Sequence, residues 1–98
     1  MKIIWTKEAL EKLTEIEDYI SKDSPVRAAR FVDQLVEHPE LLSNNPRLGR
    51  MVPEIANPAI RELIFKKYRI VYRLNEDSVE ILTVFEGHVL LRIDESES

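Results

Sequence analysis

Apolar residues recur along the chain with two different periods, and the change of period divides it into a helical and a sheet-forming part. After a short apolar run at residues 2–5, apolar side chains return every three or four positions, as on one face of a helix. From Ile60 onward they return every second position, as on one face of a β-strand. The pattern predicts one strand, a helical region and then a sheet.

The helical region carries the start and stop signals of two helices. Thr6 offers a capping hydroxyl for the first helix, and Ser24-Pro25 supplies a cap and a first-turn proline for the second. Pro39 removes a backbone donor, so the second helix should kink or restart near His38. The short connection between the helices predicts an antiparallel hairpin. The apolar stripe of the first helix is predicted to hold Leu10, Leu13, Ile16 and Ile20.

Residues 43–59 form a different kind of segment. They contain three of the five prolines and one of the two glycines, and they show no periodicity. An irregular segment of this length inside a small domain is usually functional or mobile.

Three strands are predicted after this segment, at Ile60–Phe65, Tyr68–Leu74 and Val79–Phe85. We expect both hairpins to close on two-residue loops, which fixes the register. The resulting cross-strand pairs are Arg73 with Glu80, Arg69 with Val84, Ile64 with Arg69, and Glu62 with Val71. The fold class is therefore α+β: an N-terminal strand, an antiparallel helix hairpin, and a three- to four-stranded antiparallel meander under the helices.

The same register divides the sheet into an apolar face and an open face that mixes charged with aliphatic side chains. The apolar face, predicted to lie under the helices, holds Leu63, Phe65, Tyr68, Ile70, Tyr72, Ile81 and Phe85. The open face holds Glu62, Ile64, Arg69, Val71, Arg73, Glu80, Leu82, Val84 and Glu86. A slip of one residue would exchange the two faces.

Composition limits what such a fold can do. A chain of 98 residues predicts one domain, placed at residues 1–93 with a polar tail at 94–98. It has no cysteine and only two histidines, His38 and His88, so we expect no metal and no other cofactor. No apolar run approaches the roughly 18–20 residues that span a bilayer, and no signal peptide is visible, so the predicted location is cytoplasmic.

Charge is unevenly distributed along this acidic chain. Its formal net charge is -4, yet residues 45–73 carry seven basic groups against Glu54 and Glu62. A basic centre could bind phosphate or an acidic protein, or it could pair with acids of neighbouring elements.

Several short motifs occur in a characteristic order. They are Ile4-Trp5-Thr6, Tyr19-Ile20 with Ser24-Pro25, Asn45-Pro46-Arg47-Leu48-Gly49-Arg50 leading to Val52-Pro53-Glu54, Arg61-Glu62, Tyr68-Arg69-Ile70-Val71-Tyr72, and Ile81 to His88. Together they resemble the RelE/ParE superfamily of toxins from type II toxin–antitoxin modules, also labelled plasmid stabilisation proteins. The resemblance implies a growth inhibitor silenced by the C-terminal segment of a cognate antitoxin, as a homodimer or as a hetero-oligomer with that antitoxin.

The superfamily contains two different activities. RelE-like members cleave mRNA in the ribosomal A site without a metal, whereas ParE-like members inhibit DNA gyrase and have no established catalytic residues. A third alternative is a relative that binds an antitoxin but is not toxic.

If this chain is a ribonuclease, the resemblance places the catalytic set at three residues. Arg69 matches the arginine that stabilises the scissile phosphate, Glu54 lies near the position of a general base, and His88 lies near that of a general acid. Glu62 and Glu86 are diagonal to Arg69 and are its alternative, structural partners. The residues predicted to bind partners are Arg61 and Arg73 of the basic segment, with Val71, Leu82 and Val84 on the open sheet face.

Two features of the sequence favour the ParE-like activity. Docking among ribosomal RNA phosphates favours a strongly basic protein, and this chain has an isoelectric point near 5.2. In addition, Val89 follows His88 where many ribonuclease relatives have an arginine, and the chain ends in acidic residues. We therefore expect a ParE-like toxin, with the ribonuclease as the alternative.

Overall fold

The computed structural model of the chain describes residues 1–87, and its helical half follows the capping signals of the sequence. The first helix, α1, spans Lys7–Ser21 and the second, α2, spans Pro25–Glu37. The hydroxyl oxygen of Thr6 accepts a hydrogen bond from the Ala9 N–H at 3.2 Å, and that of Ser24 accepts one from the Arg27 N–H at 3.2 Å. A 3₁₀ helix at His38–Ser43 follows directly, which confirms the restart at Pro39.

Within residues 1–87, five strands form one sheet on which the helix hairpin packs. They are β1 (Lys2–Trp5), β2 (Arg50–Met51), β3 (Ile60–Phe65), β4 (Tyr68–Leu74) and β5 (Ser78–Glu86). Their order is β1-β5-β4-β3-β2, with β1 parallel to β5 and all other neighbours antiparallel. The α+β fold class is confirmed. The two-residue strand β2 was not predicted, because it lies within the segment that the sequence predicted to be irregular.

The core between the helices and the sheet is built from apolar side chains of both layers. Its buried members are Ala9, Leu13, Ile16, Leu35, Leu42, Leu63, Tyr68, Ile70, Tyr72, Val79, Ile81 and Val84. Leu10 is 51% exposed, so its predicted place in the stripe of α1 is wrong. Ala9, one position earlier, faces the core in its place.

The register between β4 and β5 changes at a β-bulge. The predicted pairs of Arg73 with Glu80, Ile64 with Arg69, and Glu62 with Val71 are confirmed. The predicted pair of Arg69 with Val84 is wrong, because Arg69 lies opposite Phe85. Leu82 is the extra residue, since Tyr72 pairs with Ile81 while its neighbour Val71 pairs with Thr83.

The bulge exchanges the side chains that follow it between the faces of the sheet. Val84 lies in the core beneath the helices, and Phe85 lies on the opposite face, which reverses both predictions. One inserted residue is enough for this exchange because successive side chains of a strand point to opposite sides.

The face away from the helices is covered by part of the irregular segment. Val52 packs there against Ile60 and Val71, and all three are buried. Ile55, Leu82 and Phe85 pack around this second cluster and are partly buried. The segment thus covers Val71 and part of Leu82, which the sequence predicted to be open, whereas Ile64 is 50% exposed.

Candidate functional site

Arg69 lies at the centre of the charged side chains on this second face. It is only 6% exposed, and its two terminal nitrogens donate to the two carboxylate oxygens of Glu54 at 2.7 and 2.8 Å. The guanidinium carbon also lies 5.1 Å from the centre of the Phe85 ring. A bidentate arginine–carboxylate pair of this kind fixes both side chains in one geometry. It also ties residue 54 of the irregular segment to strand β4.

Glu62 joins this pair to a second arginine. Its side chain has no exposed surface, and one carboxylate oxygen accepts from Nε of Arg69 at 2.6 Å. The other oxygen accepts from Nε of Arg50 at 2.6 Å, on the neighbouring strand β2. These four residues, Glu54, Arg69, Glu62 and Arg50, are called the ion-pair chain below. Its two cations and two anions alternate, so it carries no net charge.

The electrostatics of the ion-pair chain hold Arg69 in its charged form. The hydrogen bonds to Glu54 raise the pKa of Arg69 most strongly, burial opposes them, and Glu62 raises it further. A carboxylate whose two oxygens both accept from a guanidinium is stabilised as an anion and is a weak proton acceptor. An incoming phosphate would have to displace Glu54 to engage the Arg69 atoms that hold it.

A second set of contacts fixes the first part of the irregular segment to the sheet. The Tyr72 hydroxyl donates to the Pro46 carbonyl at 3.0 Å and accepts from the Gly49 N–H at 2.9 Å. Nη1 of Arg61 donates to the Gly49 carbonyl at 3.0 Å. Burial raises the pKa of Tyr72 above its ordinary value, so the hydroxyl keeps its proton at neutral pH.

Gly49 is required at this position by the lack of space. A Cβ atom on it would lie 2.5 Å from the Glu62 carbonyl oxygen and 2.6 Å from the Tyr72 hydroxyl. This anchor was not predicted from the sequence. Its signal was the glycine within the Pro46-Arg47-Leu48-Gly49 motif of an otherwise proline-rich segment.

The structure brings together part of the predicted catalytic set. Glu54 and Arg69 are in direct contact, whereas His88 lies outside the described residues. Glu62, predicted as a diagonal structural partner of Arg69, is confirmed as one.

The predicted binding residues are spread over different surroundings. Arg61 anchors Gly49, and Arg73 lies opposite Glu80, although no ion pair within residues 1–87 joins these two side chains. The prediction that Val71 and Val84 lie on an open face is wrong, since Val71 is buried under the irregular segment and Val84 under the helices. Leu82 is partly buried beside Val71.

Two searches of the described residues concern other kinds of site. Within residues 1–87, no group of three or more histidine, aspartate or glutamate side chains is placed to hold a metal ion. In the same range, every helix is too short or too polar to cross a membrane.

Comparison with known proteins gives concordant results. Residues 3–89 match the family model described as the ParE toxin of the type II toxin–antitoxin system parDE. A protein named "Putative toxin Y4kP" from Sinorhizobium fredii is 42% identical over 89 residues, which cover 89% of this chain and 88% of the relative. "Toxin RelE2" from Caulobacter vibrioides is 33% identical over 84 residues, covering 85% of this chain and 91% of the relative.

The fold has a match among solved structures. A chain of the chromosomal ParDE toxin–antitoxin system from P. aeruginosa superposes with a TM-score of 0.74 at 25% sequence identity. The match covers 88% of the present chain and 95% of the solved one.

Proposed function

Because this chain belongs to the ParE toxin family of type II toxin–antitoxin systems, we propose that it inhibits growth by acting on a protein target, DNA gyrase. A cognate antitoxin is the partner that such a module implies.

The observation that carries the proposal is the bidentate pair between Arg69 and Glu54. Metal-free RNA cleavage needs a base that takes a proton from the 2′-hydroxyl and a cation that meets the scissile phosphate. Here the candidate base and the candidate cation neutralise each other at 2.7 and 2.8 Å, and Glu62 holds a third nitrogen of Arg69. Glu54 and Arg69 are thus engaged as structural ion-pair partners, which favours a target that needs no cleavage chemistry.

The overall charge supports the same choice. A protein that docks among ribosomal RNA phosphates gains affinity from each cation it places against them. This chain has a net charge of -4, and two of its central arginines, Arg50 and Arg69, are compensated by buried or partly buried carboxylates. Binding to a protein surface makes no comparable demand for positive charge.

The ribonuclease alternative is favoured by one of the relatives. The protein from Caulobacter vibrioides that is 33% identical to this chain carries the name "Toxin RelE2". A direct comparison of the two activities is therefore the appropriate test.

The experiment assays one protein preparation in two reactions. The first is supercoiling of relaxed plasmid by purified gyrase, and the second is cleavage of mRNA on programmed ribosomes, followed by primer extension. Each is run with the wild-type chain, with Glu54→Gln, and with Glu40→Gln, an exposed control on the 3₁₀ helix that has the same chemical change.

We expect inhibition of supercoiling and no ribosome-dependent cleavage by the wild-type chain. Ribosome-dependent cuts that disappear in Glu54→Gln and persist in Glu40→Gln would establish the ribonuclease instead. If the folded wild-type protein affects neither reaction, the gyrase proposal is wrong and the non-toxic, antitoxin-binding alternative is favoured.

A further inference from the structure

One guanidinium group of the ion-pair chain faces solvent. The side chain of Arg50 is 63% exposed, yet its Nε donates to the fully buried carboxylate of Glu62 at 2.6 Å. Within residues 1–87, the two terminal nitrogens of Arg50 make no hydrogen bond. A buried partner therefore orients this arginine while its two outer donors point to solvent. Such a fork matches the two oxygens of a carboxylate, and its fixed geometry lowers the entropy cost of binding.

An apolar side chain lies next to this guanidinium on the same face of the sheet. Arg50 is opposite Glu62 in the register of β2 and β3, and Ile64 follows Glu62 by two residues. All three side chains therefore point away from the helices, with about 7 Å between successive positions along β3. Ile64 is 50% exposed. An ordered arginine beside an exposed apolar side chain is the kind of pair that anchors a protein partner.

The outer edge of β3 is open beside Ile64. Strand β2 pairs with only two residues of β3, so within residues 1–87 no strand lies outside Leu63–Phe65. The Ile60 carbonyl points to this outer side, since it accepts from the Val52 N–H at 3.4 Å. Backbone groups of alternate residues in an antiparallel strand point the same way, so the N–H and C=O of Ile64 also face the open edge. An extended segment can pair with them.

The side chains of Arg50 and Ile64, with the open edge of β3 beside them, are called the edge surface below. Its charges distinguish between classes of partner, because Arg50 already lies against Glu62, and Glu54 is a second carboxylate of the same neutral chain. RNA brings a closely spaced row of phosphates and needs a track of uncompensated cations. A single carboxylate needs only the two donors of the fork. The edge surface therefore complements an extended protein segment with one acidic side chain next to an apolar one.

We propose that the toxin docks on its protein target through the edge surface, where an extended segment of the target places a carboxylate on Arg50 and an apolar side chain on Ile64. The inference rests on the proposed function, because it requires a protein target. It leaves Arg69 and Glu54 paired, so neither member of the candidate catalytic pair has to be released. The toxin thus binds through the rim of the ion-pair chain and not through its centre.

The test compares variants of the toxin in the gyrase supercoiling reaction. Arg50→Lys keeps the positive charge but removes the fork, and Ile64→Thr removes apolar surface while keeping a β-branched side chain. The matched controls are Arg30→Lys on α2 and Ile4→Thr on β1, both at exposed positions. Urea unfolding checks that each variant is folded. Growth arrest on induced expression is a second readout, which does not presuppose gyrase.

We expect Arg50→Lys and Ile64→Thr each to raise the toxin concentration for half-inhibition of gyrase at least about fivefold, with both controls unchanged. The same two variants, called the edge variants, should relieve growth arrest. Equal inhibition by the edge variants and their controls would overturn the inference. So would ribosome-dependent mRNA cleavage that is lost in Arg50→Lys, because the edge surface would then contact RNA.

The inference and the proposed function fail separately in this design. If the edge variants inhibit gyrase as well as the wild-type protein does, gyrase remains the target and the edge surface is not the contact. If the wild-type protein leaves gyrase unaffected, the proposed target is wrong and growth arrest decides the inference. Arrest that is lost in both edge variants and kept in both controls, without mRNA cleavage, supports docking through the edge surface. Arrest that persists in the edge variants, or is absent from the wild type, overturns it.

Discussion

Replacing Arg69 by alanine should destabilise the fold strongly, because Arg69 links two carboxylates of the ion-pair chain. The substitution leaves Glu62, whose side chain is fully buried, with one partner instead of two. Breaking a buried ion pair by removing one member costs about 3–5 kcal/mol. Two features place this case near the lower end: Arg50 still pairs with Glu62, and the side chain of Glu54 is 18% exposed and can be rehydrated. We expect a loss of about 3 kcal/mol.

Equilibrium unfolding in urea measures this loss directly. With an m-value of about 1.5 kcal/mol/M, a loss of about 3 kcal/mol lowers the midpoint by roughly 2 M. Arg73→Ala is the matched control, since Arg73 lies on the same strand and face but has no ion pair within residues 1–87. We expect the control to lose less than about 1 kcal/mol.

A double-mutant cycle then separates the ion pair from the loss of the side chain itself. Arg69→Ala and Glu54→Ala, alone and together, should show a favourable coupling energy of about 1–3 kcal/mol. If Arg69→Ala costs no more than Arg73→Ala and the coupling is zero, the ion-pair chain does not stabilise the fold. Arg69 would then be available to a phosphate at little cost, and the ribonuclease alternative would gain weight.

Two further predictions concern the anchor of the irregular segment. Gly49→Ala should destabilise the fold by about 2–3 kcal/mol in thermal or urea unfolding, because its Cβ would lie 2.5 Å from the Glu62 carbonyl oxygen; an unchanged midpoint would show that the segment moves aside freely. Tyr72→Phe should cost about 1–2 kcal/mol at pH 7, since Pro46 and Gly49 lose a buried partner. Burial raises the pKa of Tyr72 above the 10.0 of the unfolded chain, so its contribution is complete below pH 10 and is lost as the pH rises through the folded value. The stability difference between wild type and Tyr72→Phe should therefore narrow above about pH 10, and a constant difference from pH 7 to 11 would contradict this assignment.

Local signals in the sequence predicted most of the elements. Thr6 and Ser24 are helix caps because their hydroxyls satisfy backbone donors of the next turn, an interaction set within four residues. The register of β3 against β4 follows in the same way from the short Lys66-Lys67 turn. These features depend on neighbouring residues and are therefore visible before any tertiary contact is known.

The bulge at Leu82 had no comparable signal. Apart from Thr83, residues 81–85 are apolar, so apolar side chains point to both sides of the strand and the pattern is compatible with either face after an inserted residue. The choice is made by packing, which places Val84 against the helices and Phe85 against the guanidinium of Arg69. The period of hydrophobic residues alone does not predict which of these two side chains faces the helices.

The sequence predicted which residues belong to the candidate site better than it predicted how they are arranged. The resemblance to a known family singled out Glu54 and Arg69, and the two are in contact. Their pairing depends on how the irregular segment folds back over the sheet, which is a contact across 15 residues of sequence. Neither composition nor periodicity shows that the irregular segment folds back over the sheet. The sequence therefore could not predict that this segment packs on the sheet face opposite the helices.

The parallel pairing of β1 with β5 limits when the sheet can be completed during translation. Lys2–Trp5 lie beside Ser78–Ile81, and the Thr6 hydroxyl donates to the Ile81 carbonyl at 2.8 Å. During translation the first strand emerges long before β5, its neighbour in the sheet, has been made. The nascent chain must hold Ile3 and Trp5 without their final environment until about residue 81 has left the ribosome. Pairing of β1 with β5 is therefore a late step of sheet assembly. A chain released before β5 has been made lacks the strand with which β1 pairs.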